Sequence, residues 1–181
     1  MIIKDDEEYL KVDFSKIPGL KPSFTADGTV TAANASTLND GAVAMVIVSE
    51  KKLKELNLTP LARIVSYADA EQEPAWFTTA PTKSAPIALH RAGLKASQID
   101  YWEVNEAFAV VPLVFAQIME ISQDKLNVNG GAISLGHPLG ASGARITGAL
   151  SNILHQNQAK YGLAVICNGG GGSSAIVLEK M

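Results

Sequence analysis

Four consecutive glycines, at 169–172, separate two short apolar runs at residues 162–166 and 173–178. A parallel pair of strands needs a crossover of about a dozen residues or more, so runs this close pair only as antiparallel neighbours. Glycines in a turn cost conformational entropy, which implies that something requires other backbone to pass close by. The run is no dinucleotide fingerprint, because a strand follows it instead of a helix.

The rest of the chain repeats the pattern of short apolar run and helical stretch. Residues 43–48 (Val-Ala-Met-Val-Ile-Val) are continuously apolar, as a strand buried on both faces is. Ser49 is placed to cap a helix over 50–56. Further strands are expected at 61–67, 101–104 and 126–128. Helices are expected at 84–94, 107–119 and 142–156, with a loop at 74–81. Strands alternating with helices give an α/β domain, its mixed or mostly parallel sheet covered by helices on both sides. Residues 1–28 read instead as an arm, punctuated by Pro18, Gly19 and Pro22, with the acidic run at 5–8 as solvated surface.

Composition removes several function classes. With 47% hydrophobic residues among 181, the chain can bury a sizeable core. A net charge of -3 gives no domain-wide positive field for nucleic acid. No apolar run approaches the roughly 20 residues of a membrane span, and residues 1–8 have neither a secretory nor an Arg-rich transit pattern. Cys167 is the only cysteine, so no disulfide forms within the chain.

Reactive side chains gather in three segments at strand ends or glycine-rich turns, where open α/β sheets place ligands. Asn105 follows the strand at 101–104, as a helix cap or as an amide orienting substrate or water. His137 lies in a glycine-rich loop and could serve as general base, oxyanion donor or metal ligand. Cys167 ends the strand before the glycines, as a small buried residue or as a thiol ringed by backbone N–H groups.

Together these segments resemble the C-terminal half of the thiolase family. Asn105-Glu-Ala-Phe, the stretch from Asn129-Gly-Gly through Gly136-His-Pro-Leu-Gly to Arg145, and Cys167-Asn-Gly-Gly-Gly-Gly stand in the family's order and approximate spacing. The stretch at 31–41 fits as well. The resemblance implies a mixed five-stranded sheet with helices on both faces, half of the αβαβα thiolase fold, over 29–181. It makes residues 1–28 the tail of the loop domain. By the same resemblance His137 activates a nucleophilic cysteine and binds the thioester oxygen, and Cys167 moves the proton at the α-carbon of acetyl-CoA. Asn105 holds a water in the first oxyanion hole, and the Gly169 N–H belongs to the second. Cysteine suits that base role where its surroundings lower its pKa.

The likeness extends to Lys11, Val12, Asp13, Lys16 and Ser36 as coenzyme A contacts, and to Phe77 and Phe108 as acyl-pocket residues. Asn168 with its four glycines is similar to the mitochondrial, potassium-activated acetoacetyl-CoA branch, which implies a potassium ion on the carbonyls of Ala32, Ala33, Ala35 and Ile133. Thr78 stands where that branch has proline. The family's nucleophile belongs to the N-terminal half, so the resemblance implies a chain inactive alone, needing that half as a partner. It also implies acetyl-CoA and acetoacetyl-CoA as substrates, no redox cofactor and a homo-oligomeric, mitochondrial parent protein, with the cytoplasm the other compartment open. Two other readings are a non-catalytic coenzyme A-binding or assembly module, and a ketoacyl synthase, which has a second histidine where Cys167 stands. An isolated half would expose an apolar face prone to association.

Overall fold

Ser49 accepts a hydrogen bond from the Lys52 N–H through its side chain, and the first helix starts there as expected. In the computed structural model, which describes Ile2, Lys4 and residues 9–181, the elements run α1 (Glu50–Glu55), β1 (Ala62–Glu71), α2 (Pro81–Ala92), β2 (Tyr101–Val104), α3 (Val110–Met119), α4 (Ala132–Leu135), α5 (Ser142–Gln156), β3 (Tyr161–Cys167) and β4 (Gly172–Lys180). The acidic run at 5–8 lies outside the described residues. Among its described residues the arm carries two 3-10 turns, Tyr9–Lys11 and Phe14–Gly19, and buries nothing in them. Among the described residues no helix is long and apolar enough to cross a membrane.

The sheet order is β1-β4-β3-β2. β3 and β4 are the antiparallel hairpin expected from the glycine run, with Cys167 opposite Ser173. β1 is antiparallel to β4, and β2 is parallel to β3. The α/β class therefore holds, but the sheet has four strands instead of five.

Two expected strands fail for different reasons. Residues 126–128 make a single bridge, Leu126 to Trp102. There the Asn127 side chain replaces a ladder: its Oδ1 accepts from the Val104 N–H (2.8 Å) and its Nδ2 donates to the Val104 carbonyl (2.9 Å). Asn127 itself turns left-handed at φ 48°, which ends the extended run. Residues 43–48 form no strand at all, and Val46 is 90% and Ile47 71% exposed. An apolar run becomes a buried strand only where neighbours cover it, and among the described residues none do. The helix boundaries also shift. α2 begins at Pro81, whose fixed φ and missing N–H suit a first turn, and ends at Gly93 with φ 68°. The loop expected at 74–81 is the 3-10 segment Pro74–Thr79.

Alternation along β3 builds two cores. Leu163, Val165 and Cys167 face Ala85, Ala88 and Leu89 of α2 and Val111 and Phe115 of α3. Ala164 and Ile166 face Ile146, Leu150 and Leu154 of α5. Helices thus cover both faces, and the carboxyl ends of β2 and β3 open side by side.

Candidate active site

Asn105 and Cys167 stand at the ends of two parallel neighbours. The Asn105 N–H donates to the Val165 carbonyl at 3.0 Å, which extends the β2–β3 pairing by one step. The side chain is 1% exposed, and its Nδ2 meets His137 Nε2 at 3.2 Å. Its Oδ1 is buried without a partner among the described residues. Asn105 is no helix cap, since α3 begins at Val110 after Ala109; its amide turns instead toward the histidine.

His137 is held from three sides. Its backbone N–H donates to the Thr37 carbonyl (2.9 Å) and to Asn39 Oδ1 (3.3 Å), which ties the 37–39 segment to the loop. Gly136, at φ 88°, has no room for a side chain because one would overlap Asn39. The imidazole Nδ1 lies 2.6 Å from Ser142 Oγ, and that hydroxyl donates to the Pro138 carbonyl at 3.1 Å. A hydroxyl that has given its proton to a carbonyl accepts from Nδ1–H. The neutral ring thus keeps its lone pair on Nε2, where it accepts from the Asn105 amide Nδ2–H. Burial first, and then the Arg145 guanidinium, hold His137 below the usual histidine range. The arrangement is a neutral base with a fixed tautomer.

Glu106 builds the loop beneath. Its Oε1 accepts from Asn127 Nδ2 (2.8 Å) and its Oε2 from the Ile133 N–H (3.1 Å). A side chain at Gly131 would overlap this carboxylate.

Cys167 is 9% exposed. Burial pushes its thiol up, partly offset by a hydrogen bond from its own backbone. Among the described residues burial, not a neighbouring charge, sets the direction of this shift. The turn after it is organised by Asn168, whose Oδ1 accepts from the Gly170 N–H (3.0 Å) and the Gly172 N–H (3.3 Å). Gly169 N–H is left out of that scheme and donates to no described residue. Gly171, at φ 90°, presses on the Gln72 carbonyl and accepts from the Gln72 N–H at 3.0 Å. This is the close backbone approach that the glycines implied.

A family model for the C-terminal domain of thiolase matches residues 58–180, and one for the N-terminal domain of thiolase matches residues 1–51. The chain belongs to the thiolase family. A probable acetyl-CoA acetyltransferase from Dictyostelium discoideum is 59% identical over 99% of this chain and 43% of its own length. The human mitochondrial acetyl-CoA acetyltransferase is 56% identical over 100% of the chain and 42% of its length. The solved Acat5 thiolase from Ascaris suum in complex with coenzyme A superposes with a TM-score of 0.93, at 46% identity over 99% of this chain and 47% of that one. The chain therefore spans less than half the length of these relatives. The uncovered run at 43–48 falls in the part matched by the N-terminal-domain model.

The remaining thiolase-like positions divide into two groups. Ser36 is drawn in, its N–H (3.1 Å) and Oγ–H (3.0 Å) both donating to the Ala107 carbonyl. Ala35 bridges Phe108, which meets Phe77 edge-on at 6.2 Å and Phe24 at 5.6 Å. Lys11, Val12, Asp13 and Lys16 stay on the exposed arm. There Ser15 and Lys16 (3.1 Å) engage the Asp13 carboxylate; the Ser15 hydroxyl first, then Lys16, hold it below the usual range. Ser142, Glu106, Asn168 and Asn39 were not foreseen from the sequence. Each is a short polar residue whose role depends on a partner in another segment, except Asn168 and Ser142. For those two, an amide opening a glycine run and a serine at a helix start five residues after a loop histidine were usable signals.

Proposed function

We propose that this chain is the part of an acetyl-CoA acetyltransferase that carries the acid–base and oxyanion groups, acting with a further stretch of thiolase polypeptide that carries the nucleophile. The observation behind this is the His137 imidazole, its Nδ1 fixed by Ser142 and its Nε2 facing Asn105 beside the end of Cys167's strand. His137 Nε2 takes the proton of the nucleophilic thiol, whose thiolate attacks an acetyl thioester and releases coenzyme A. The imidazolium then donates to the thioester oxygen. Cys167 gives its proton to the departing coenzyme A thiolate and, now a thiolate itself, removes the α-proton of a second acetyl-CoA, which leaves it a thiol again. The resulting carbanion attacks the acetylated nucleophile, giving acetoacetyl-CoA and restoring the thiolate. Asn105 orients a water toward the first thioester oxygen, its unpartnered Oδ1 matching that need. The Gly169 N–H faces the enolate oxygen. A thiol raised by burial keeps its proton until the departing thiolate takes it, and its conjugate thiolate is then a stronger base, which fits a weakly acidic C–H.

Coenzyme A recognition is assigned to Lys11, Val12, Asp13, Lys16 and Ser36, with Phe77 and Phe108 at the acyl group. Residues 1–28 are taken as the tail of the loop domain. A potassium ion suits the carbonyls of Ala32, Ala33, Ala35 and Ile133, because the three alanine carbonyls accept no loop or turn hydrogen bond among the described residues. It would brace the segment against which Phe108 lies. The family resemblance makes the parent protein homo-oligomeric, and the mitochondrial name of the human relative supports a mitochondrial one. The test is acetoacetyl-CoA cleavage by the chain with and without a separately expressed N-terminal half. Activity only with the partner is expected. Activity of the chain alone would force Cys167 into the nucleophile's role, and inactivity in both, with coenzyme A still bound, would favour a binding module.

A further inference from the structure

Asn105 and Glu106 are neighbours in the chain, and their side chains hold one loop at two points a helical turn apart. Asn105 Nδ2 meets His137 Nε2 at 3.2 Å, and Glu106 Oε2 accepts from the Ile133 N–H at 3.1 Å. Between those points lies α4, a single turn closed by the Leu135 N–H on the Gly131 carbonyl and the Gly136 N–H on the Ala132 carbonyl, both at 2.9 Å. One turn does not persist on its own, because nucleation fixes several residues for one hydrogen bond. Its leading N–H groups need acceptors from elsewhere. Gly131 stands where a capping side chain would and has none to offer, although its backbone is extended (φ -138°, ψ -168°) and open to any residue. Glu106 supplies the acceptor from another segment, and a side chain at Gly131 would overlap its carboxylate. The glycine is thus required by the space that the carboxylate fills. The other carboxylate oxygen is anchored to the sheet: Oε1 accepts from Asn127 Nδ2 at 2.8 Å, and the same amide clasps the N–H (2.8 Å) and carbonyl (2.9 Å) of Val104. Direct hydrogen bonds therefore run from the last residue of β2 through Asn127 and Glu106 to Ile133. Thr37, Asn39 and Ser142 tie His137 to the 37–39 segment and to α5. Glu106 ties its loop to β2, the strand that leads into Asn105.

We propose that Glu106 is a positioning residue for His137: by capping the turn of α4 from the end of β2, it sets the imidazole Nε2 against the Asn105 amide. The consequence for catalysis rests on the thiolase reading, in which that nitrogen takes and returns a proton. The placement of the imidazole does not.

The test uses the whole chain without substrate and reads two signals by nuclear magnetic resonance. The imidazole nitrogen shifts of the three histidines report tautomer and hydrogen bonding, His137 being assigned through His137→Gln, and hydrogen exchange reports the Ile133 amide. Glu106→Ala should shift the His137 Nε2 resonance and mix its tautomers. It should also speed exchange at Ile133 by about fivefold or more, as loss of a cap does. Gly131→Asp alone should disturb His137, because its side chain meets the Glu106 carboxylate. Added to Glu106→Ala it grows into the vacated space as a local cap, and both signals should return together. Fast exchange at Ile133 beside an unmoved His137 overturns the proposal, since the carboxylate would then stabilise the turn without placing the imidazole. Return of the Ile133 amide without the His137 signal in the double variant overturns it too. Should Glu106→Ala not fold, Glu106→Gln decides, because its one oxygen cannot replace the two that accept from Asn127 and Ile133: an unmoved His137 overturns the proposal and a shifted one sustains it. A His137 signal that follows Glu106 beside a reconstituted enzyme that never turns over would break the thiolase reading and sustain this one.

Discussion

Two apolar runs of nearly the same character end in opposite states. Leu163 to Ile166 lie in β3, between β2 and β4, with helices on both faces. Val43 to Val48 are just as apolar, yet Val46 is 90% exposed and the run pairs with nothing among the described residues. An apolar run states a demand for cover; whether it is met depends on other segments. In this chain the segments supplying cover lie within the part matched by the thiolase C-terminal-domain model, and the unmet run lies in the part matched by the N-terminal one.

The sharpest way to break that contrast is to remove volume from the covered run. Leu163 is fully buried against the α2–α3 side. Leu163→Ala should cost about 2–5 kcal/mol, as deletion of a close-packed leucine does, read as a fall in the denaturant midpoint at unchanged slope. A loss below about 1 kcal/mol would mean that the hairpin is loosely packed and the contrast overstated.

The same contrast marks what was legible in the sequence. The hairpin, the α/β class, the Ser49 cap and α5 were all readable, because each rests on local chemistry: turn length, capping geometry and period. That residues 43–48 would form no strand was not, because an apolar pattern says nothing about the presence of neighbours. The strand expected at 126–128 did not form because the Asn127 amide takes the place of backbone, which no periodicity reveals. At the site, His137, Asn105 and Cys167 were visible as polar residues at strand ends and glycine turns. The Ser142 contact that fixes the imidazole's tautomer and the Glu106 clamp on Ile133 are properties of folded distance. The direction of the Cys167 shift is such a property too, since burial dominates there.

Cover also sorts the carboxylates, which gives a second, smaller effect. Glu50, beside the exposed run and fully solvated, is held below the ordinary glutamate range by Lys54. Glu103, inside the covered layer, is pushed from 4.5 to about 7 by burial. A carboxyl whose pKa is raised on folding favours the folded state while it is protonated. That contribution is complete below about 4.5 and is lost as pH rises through about 7. The loss amounts to at most about 3 kcal/mol, at about 1.4 kcal/mol per pH unit across the window. His137, lowered on folding, acts with the opposite sign as pH falls below its unfolded value of 6.5. The clean observable is therefore the difference between the wild-type chain and Glu103→Gln in unfolding free energy at pH 5 and pH 8. Glutamine cannot ionise, so the variant should gain on the wild type as pH rises. A constant difference would place Glu103 in contact with water and remove it from the covered layer.

The smallest expected effect is the most discriminating. Val46→Asp puts a charge into an apolar run, and in β3 such a change would unfold the domain. At a site 90% exposed it should change the stability of this chain by no more than about 0.5 kcal/mol. Self-association should fall at the same time, because an exposed apolar segment with unpaired backbone is a template for pairing with another copy. Light scattering on the purified chain reads the second effect, and thermal unfolding the first. Mixed with an N-terminal thiolase half, however, the same aspartate would lie wherever that half places residues 43–48. If the half supplies the missing cover, Val46→Asp should block reconstitution of acetoacetyl-CoA cleavage while leaving the isolated chain folded. Full reconstitution by the variant would show that the run stays uncovered in the assembled enzyme, and cover would then no longer explain why its twin in β3 is a strand.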